Sequence, residues 1–431
     1  MPISRDVMRR AAADPDRPAV VGPCGPVSFG ELGERARRRA EALADSGVVA
    51  GQGVVCAEED PSAVLVSLVA ADLLGAAAIV TEPAWPDAVA DAAVTAARAL
   101  VDQHGKAASL VVFSSGSTGL PHPIARTRRS WTFSFPTFSA LTGIGADDTV
   151  LIPGRLSGSL FLYGALHALT MGAAVHLLPT WSLGLAAEAA ASTTAVHLVP
   201  TMLASLIERI DPAASRLRVA VCAGAHLDQP VESAARSAGV QVIDYYGAAE
   251  LSFVAIRRPG LAPGRLRVFP EVEVDVRDGA IWARSPYLAL GVDQDAEGFA
   301  GVGDHGVRHD DGTLTVLGRG DAAITSGGAT IAPEAVEGVL RTAPGVQDVA
   351  VVGSPHPRLG QVVVAVVEVR PDHPLSLPVL RSTATEQLPP AQRPRVWYAV
   401  DQLPRTGSGK VARALVGAGL RDGSLGARVL A

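Results

Sequence analysis

Helical and strand spacing alternate through roughly the first three hundred residues of this chain, and that rhythm restricts the fold more than any other feature. From Phe29 to Ser46, Leu32, Ala36, Ala40 and Leu43 recur on one helical face with charges between them. Short apolar runs from Gly53 to Ala57, Leu110 to Phe113, Thr149 to Ile152, Ala174 to Leu178, Ala195 to Val199 and Leu217 to Cys222 have strand length. Pro200 and Thr201 introduce a helix from Met202 to Ile210. Strands separated by helices require crossover connections, so the pattern predicts parallel βαβ units.

After about Gly264 the texture changes. Val268 to Val276 and Ala280 to Ala283 alternate like antiparallel strands, and Thr313 to Leu317 follows a turn at Asp310–Asp311–Gly312. From Asp321 onward the chain predicts a helix from Pro333 to Thr342, strands from Val346 to Val352 and Val362 to Arg370, a helix from Leu377 to Gln387 and a strand from Arg395 to Val400. A chain of 431 residues exceeds what one core fills, roughly 250–300 residues. The expected fold is therefore α/β. A large N-terminal domain (1–319) has βαβ-type sheets plus small antiparallel strands, and a small mobile α+β C-terminal domain (320–431) follows, divided at Gly318 to Asp321.

Composition excludes several classes. Hydrophobic residues are 48% and charged residues 19%, an ordinary globular balance. The formal net charge is −6 with no long basic run, so a nucleic-acid partner is not expected. The short clusters Arg126, Arg128, Arg129 and Arg35, Arg37, Arg38, Arg39 are expected to be solvated faces. Cys24, Cys56 and Cys222 have no metal, redox or disulfide spacing, which fits a reducing cytoplasm. Met1 to Arg10 is too polar and charged for a signal peptide. The apolar run Ala63 to Val80 carries Asp72 and Gly75, so it is expected as a buried helix from Pro61 to Leu74 and a strand from Ala76 to Val80, not a membrane span.

The chemistry begins at Ser114–Ser115–Gly116–Ser117–Thr118–Gly119, directly after the strand Leu110 to Phe113. Glycines let the backbone approach a polyphosphate, consecutive N–H groups form an anion-binding concavity, and hydroxyls add donors. No Gly–Lys–Ser/Thr follows, so this is not a Walker A loop. A flexible surface loop is the other reading of these residues alone.

Phe113 to Pro121 resembles the phosphate loop of the adenylate-forming superfamily: acyl-CoA synthetases, carrier-protein adenylation domains and luciferases. His122 and Pro123 stand where the family has Lys and Gly. The resemblance runs nearly end to end. It includes Pro18–Ala19–Val20, Phe29–Gly30–Glu31–Leu32, Gly51-x-Gly53, Pro200–Thr201–Met202–Leu203, and Ala223–Gly224–Ala225, where the family turn touches adenine. Tyr246–Gly247–Ala248–Ala249–Glu250 is similar to Tyr–Gly–x–Thr–Glu, with Ala249 in place of Thr. The resemblance implies that Tyr246 stacks on adenine and Glu250 holds Mg²⁺. Asp304, after Gly303, would bind the ribose hydroxyls. Gly318–Arg319–Gly320–Asp321 resembles the hinge, with Arg319 on ribose or phosphate and Asp321 as pivot. Ser326–Gly327–Gly328, within Ile324 to Glu337, resembles the form common in CoA ligases, where Gly327 and Gly328 would let a pantetheine arm pass. Leu403 to Arg413 resembles the Pro-x-Thr-x-x-Gly–Lys loop, whose lysine is here Lys410.

The resemblance implies ATP-dependent activation of a small carboxylic acid as an acyl-AMP and transfer to a thiol, in secondary metabolism. Lys410 and Glu250 would be catalytic, ATP, Mg²⁺ and CoA or phosphopantetheine the cofactors, and CoA or an acyl carrier protein the acceptor. Two alternatives stay open: an enzyme that loads a carrier protein or an amine, and a non-catalytic nucleotide-binding relative. Two departures accompany the resemblance: the segment from Pro86 to Ser109 is short, and Pro153 to Gly158 holds no His beside the acyl pocket. The identity of the acid and the oligomeric state, a dimer among the options, stay open at this point.

Overall fold

The structure is a computed structural model that describes residues 3–430 except 115–120, 226, 258–259, 320–323, 327–328, 358, 372, 389 and 407–408. Two compact units divide the chain: Met1–Gly116, Leu120–Val274 and Ala283–Ala300 form one, and Ser117–Gly119, Asp275–Trp282 and Gly301–Ala431 the other. The expected division between residues 319 and 320 adjoins residues outside the described set.

The first unit holds two sheets. The larger runs in the order Leu266–Val268, Ser252–Ile256, Gln241–Ala248, Val219–Ala223, Ala195–Leu198, Thr149–Ile152, Ala174–Leu177, Pro18–Gly22, Gly25–Ser28. From Gln241–Ala248 to Pro18–Gly22 every pairing is parallel, as the alternation predicts. Their buried runs of Ala, Val, Leu and Ile are what a sheet covered on both faces requires. The smaller sheet sets Gly53–Cys56, Ala77–Val80 and Leu110–Ser114 parallel, closed by the antiparallel His122–Arg126.

The apolar run is a helix, Pro61–Leu74, capped by Asp60 and ended by Gly75 at φ 69°, followed by Ala77–Val80. Asp72 accepts from Ser4 N at 2.8 Å and Arg128 Nε at 2.8 Å, which explains an acid inside that run. No helix among the described residues is long and apolar enough to cross a membrane. The short segment after Pro86 folds as the helix Asp87–His104, whose Ala93, Ala97 and Val101 pack on the smaller sheet.

Two sequence expectations need correction. The single strand from Val268 to Val276 is two, Leu266–Val268 and Glu273–Arg277. Between them Val272 N bonds Phe269 O at 3.1 Å and Glu271 sits at φ 65°, a turn that alternation alone does not reveal. The arginines near position 126 are not a solvated cluster. Arg129 alone is exposed, Arg128 pairs with Asp72, and Arg126 is 0% exposed. The cluster on the helix Phe29–Asp45 is exposed as expected.

In the second unit Val346–His356 and Gly360–Val369 form a long antiparallel pair, and the other edge of Gly360–Val369 pairs with Val396–Val400, followed by Arg428–Val429, and through Gly360 with Ile324–Ser326, followed by Ala329–Ile331. Val349, Val351, Val363 and Val367 point to a face covered by Pro333–Leu340 and Leu377–Gln387. Ala350, Val352, Val364 and Val366 point to the other, covered by Arg413–Asp422. The period-two alternation separates the two faces.

Candidate functional site

The smaller sheet brings together the two ends of the loop expected to bind phosphate. Ser114, the last residue of Leu110–Ser114, pairs across the hairpin with His122, the first of His122–Arg126. The loop therefore leaves and re-enters one sheet edge. Ser114 is half-buried and His122 exposed. Ser115, Gly116, Ser117, Thr118 and Gly119 lie outside the described residues.

Parallel register fixes the next two motifs side by side. Ala223 pairs with Tyr245, so the turn Gly224–Ala225 leaves the C-terminal end of one strand beside Tyr246 on its neighbour. Gly224 has φ 89° and is exposed, a conformation that glycine adopts without strain. Ligands of open α/β sheets occupy this edge, outside the carboxyl ends of the strands. Tyr246 opposes Ala255 in the hairpin made with Ser252–Ile256, and the register shifts at Gly247. A Cβ on Gly247 would lie 1.9 Å from Ser252 O, so only glycine fits. Ala249, Glu250 and Leu251 form the hairpin tip. Glu250 sits on the turn between the two strands. Among the described residues no hydrogen bond takes up its carboxylate, and it is half-buried.

Arg126 is the site-adjacent residue that sequence reasoning missed. It ends His122–Arg126 and is fully buried. Nη1 donates to Ala249 O at 2.6 Å, Nη2 to Tyr287 O at 2.5 Å and Ser130 O at 2.9 Å, and Nε to Ser130 Oγ at 3.2 Å. The guanidinium also lies over the Trp131 ring, 5.3 Å from its centroid. Burial pushes its pKa down to about 9, opposed by the Glu250 carboxylate, so it stays cationic at neutral pH. A signal existed in the sequence: Arg126 follows Ile124 and Ala125 in an apolar strand rather than in a polar run.

The segment Pro153 to Gly158, where the resemblance would place a histidine, is tied to a buried acid. Ser157 Oγ donates to Glu82 Oε2 at 2.9 Å and Arg155 pairs with the same carboxylate. The buried histidines of this unit, His167 and His197, belong to the core. His167 Nε2 meets Ser139 Oγ at 2.9 Å, and both rings pack on Phe138. Burial pushes each down to about 3.

In the second unit Asp304 and Arg319 are register partners across the pair Ala300–Arg308 and Thr313–Arg319. The two residues expected at ribose thus share one position of one hairpin. Asp304 is buried. Gly318, at φ 106°, leaves no room for a Cβ, which would lie 2.2 Å from Glu334 Oε2. Asp321, Gly327 and Gly328 lie outside the described residues.

Lys410 is half-buried on a closed loop. Arg405 and Val411 bridge its ends, Thr406 N donates to Lys410 O at 2.7 Å, and Gly409 N to Thr406 O at 2.8 Å. Carboxylates anchor both sides. Arg405 pairs with Glu368 at 3.0 Å and Asp348 at 3.1 Å, and Arg413 with Glu334 at 2.7 Å and Glu337 at 2.9 Å. Glu337 also accepts from Val351 N at 2.8 Å, which ties the loop to the central strand pair.

No group of three or more His, Cys, Asp or Glu that could hold a metal ion occurs among the described residues. One carboxylate at a turn suits an ion that takes its remaining ligands from phosphate and water, as Mg²⁺ does.

Comparison with known proteins gives one answer. The family model "AMP-binding enzyme" matches residues 87–291, and "AMP-binding enzyme C-terminal domain" matches residues 335–410. The chain is 32% identical to an uncharacterized acyl–CoA ligase of Bacillus subtilis, over 70% of this chain and 67% of that protein. It is 31% identical to a probable 2-succinylbenzoate–CoA ligase of Mycobacterium tuberculosis, over 71% of this chain and 83% of that protein. The crystal structure of ATP-bound MatB from Rhodopseudomonas palustris superposes with a TM-score of 0.85 at 21% identity, covering 97% of this chain and 99% of that one. At that identity the likeness establishes the fold.

Proposed function

The chain belongs to the AMP-binding enzyme family, and from that premise we propose that it joins a carboxylic acid to the thiol of CoA through an acyl-AMP. The observation that carries this reading is the juxtaposition of Gly224–Ala225, Tyr246 and Glu250 at the carboxyl edge of the parallel strands.

In the first half-reaction a carboxylate oxygen attacks the α-phosphorus of ATP and the bond to pyrophosphate breaks. Negative charge accumulates at the reacting phosphate, so positioning and electrostatic stabilisation carry the step. Tyr246 offers a flat ring to adenine and the Gly224–Ala225 turn admits its edge. Asp304 accepts from the ribose hydroxyls, with Arg319 beside it on ribose or phosphate. Ser114 and the loop after it take the outer phosphates, where the exposed His122 replaces a lysine. Glu250 would hold Mg²⁺, which supplies charge neutralisation between phosphates. Lys410 contributes a point cation to acyl and phosphate oxygens. In the second half-reaction the CoA sulfur attacks the acyl carbon and AMP leaves. Asp321 is read as the pivot between the two steps, and Gly327–Gly328 as the passage for pantetheine.

The test is ATP–pyrophosphate exchange with a panel of carboxylic acids, with and without CoA. Exchange with one class of acid, and thioester on adding CoA, is expected. Acyl-AMP that CoA does not consume would move the acceptor to a carrier protein or an amine. Nucleotide binding without exchange for any acid would favour a non-catalytic role.

A further inference from the structure

A buried cation in this fold demands an account. Taking a guanidinium out of water costs several kcal/mol unless its donors are satisfied. Arg126 has no carboxylate hydrogen-bonded to it among the described residues. Its donors go to three main-chain carbonyls and one hydroxyl. An apolar side chain would fill the same space without the charge.

What the guanidinium does follows from which carbonyls it takes. Three segments meet at it: the strand that returns from the phosphate loop, the hairpin tip that bears Glu250, and residues 287–290. Arg126 ties the first to the second through Ala249 O and to the third through Tyr287 O. Main-chain bonds complete the circuit, Leu290 N to Ala125 O at 2.9 Å and Ala289 N to Glu250 O at 2.8 Å. The peptide groups on both sides of the Glu250 Cα are therefore pinned, one by Arg126 and one by Ala289. The rigid planar fork of a guanidinium holds carbonyls from separate segments in fixed relative positions, a geometry that the single ammonium of a lysine does not impose.

We propose that Arg126 is a positioning residue for Glu250, holding the hairpin tip so that its carboxylate meets the metal on the nucleotide. The inference rests on the reading of Glu250 as the Mg²⁺ ligand. It goes beyond that reading by assigning the geometry of the site to a residue that touches neither nucleotide nor acid.

The test compares binding of ATP with Mg²⁺ and of ATP with EDTA to the full chain, by titration calorimetry. The proteins are the wild type, Arg126→Gln, Arg126→Lys, Glu250→Gln and the double variant Arg126→Gln/Glu250→Gln. Arg126→Gln should lose roughly tenfold in affinity for the magnesium complex and less than about threefold for the metal-free nucleotide. The double variant should bind no worse than Glu250→Gln alone, because both changes remove one effect. A folded Arg126→Gln protein that keeps the full magnesium increment would overturn the proposal, as would additive losses in the double variant. Should Arg126→Gln not fold, Arg126→Lys, which keeps the charge and loses the fork, must show the same selective loss. In either overturning case the wild type still binds the magnesium complex more tightly, and the reading of the site survives. A wild type that gains nothing from magnesium, or binds no nucleotide, overturns that reading together with the proposal.

Discussion

The hairpin tip at Glu250 and the loop of Lys410 are both short turns that present one charged side chain, and they are held by opposite means. The first is fixed by a buried guanidinium spent on neutral carbonyls and by main-chain bonds. The second is fixed by arginines that pair with Glu334, Glu337, Asp348 and Glu368, with side chains a quarter exposed at Arg405 and Arg413. Desolvated donors to carbonyls are insensitive to salt, whereas partly exposed ion pairs are screened by it. The metal role proposed for Glu250 tolerates little displacement, and the role proposed for Lys410, in only one of two half-reactions, gains from a tether that can be loosened.

The contrast can be broken most directly at Lys410. Lys410→Ala should lower acyl-AMP formation by at least about 10²–10³-fold while sparing thioester formation from supplied acyl-AMP. Equal losses in both half-reactions would remove the division of labour. Asp304→Asn should raise the KM for ATP by about tenfold, the loss of a charge-assisted hydrogen bond, with kcat little changed. A fall in kcat alone would place Asp304 elsewhere in the mechanism. Glu368→Gln removes one anchor of Arg405 and should cost adenylation a few-fold, in line with about 1 kcal/mol for a partly exposed pair. Raising the salt should erode the wild-type rate toward that of the variant, and an unchanged difference at high salt would mean the anchor is not electrostatic.

The last prediction concerns stability rather than activity. His167 and His197 are buried neutral, each held at about 3 against an ordinary 6.5. The unfolded chain then binds more protons than the folded one between those values. Stability present above pH 6.5 should be lost as pH falls toward 3, by up to about 1.4 kcal/mol per pH unit for each ring. Urea unfolding of the wild type and of His197→Leu at pH 7 and pH 5 measures this. An equal fall in both proteins would show that His197 titrates normally.

Much of this was legible in the sequence, for identifiable reasons. The strands at Thr149–Ile152 and Ala174–Leu177 are short, wholly apolar and flanked by turn residues, so composition alone delimits them. Gly224, Tyr246, Glu250, Asp304 and Lys410 could be singled out as candidates because each stands in a motif of fixed spacing. The apolar helix after Gly158 was not legible. Ser159–Met171 is buried nearly all round and lacks the periodicity that marks Phe29–Asp45. Arg126 was hidden by a different cause. Its charge suggested solvent, and two of its carbonyl partners, Ala249 O and Tyr287 O, lie more than a hundred residues away and leave no trace in local spacing.

Gly247 also sets a boundary for anyone reshaping this protein by mutation. Its neighbour in the motif, Ala249, stands where the resembled motif has Thr, so that stretch looks permissive to a library. With Ser252 O 1.9 Å from where a Cβ would stand, every replacement at Gly247 must prise the hairpin apart and carry Glu250 with it. Diversity introduced there would be lost to inactive clones.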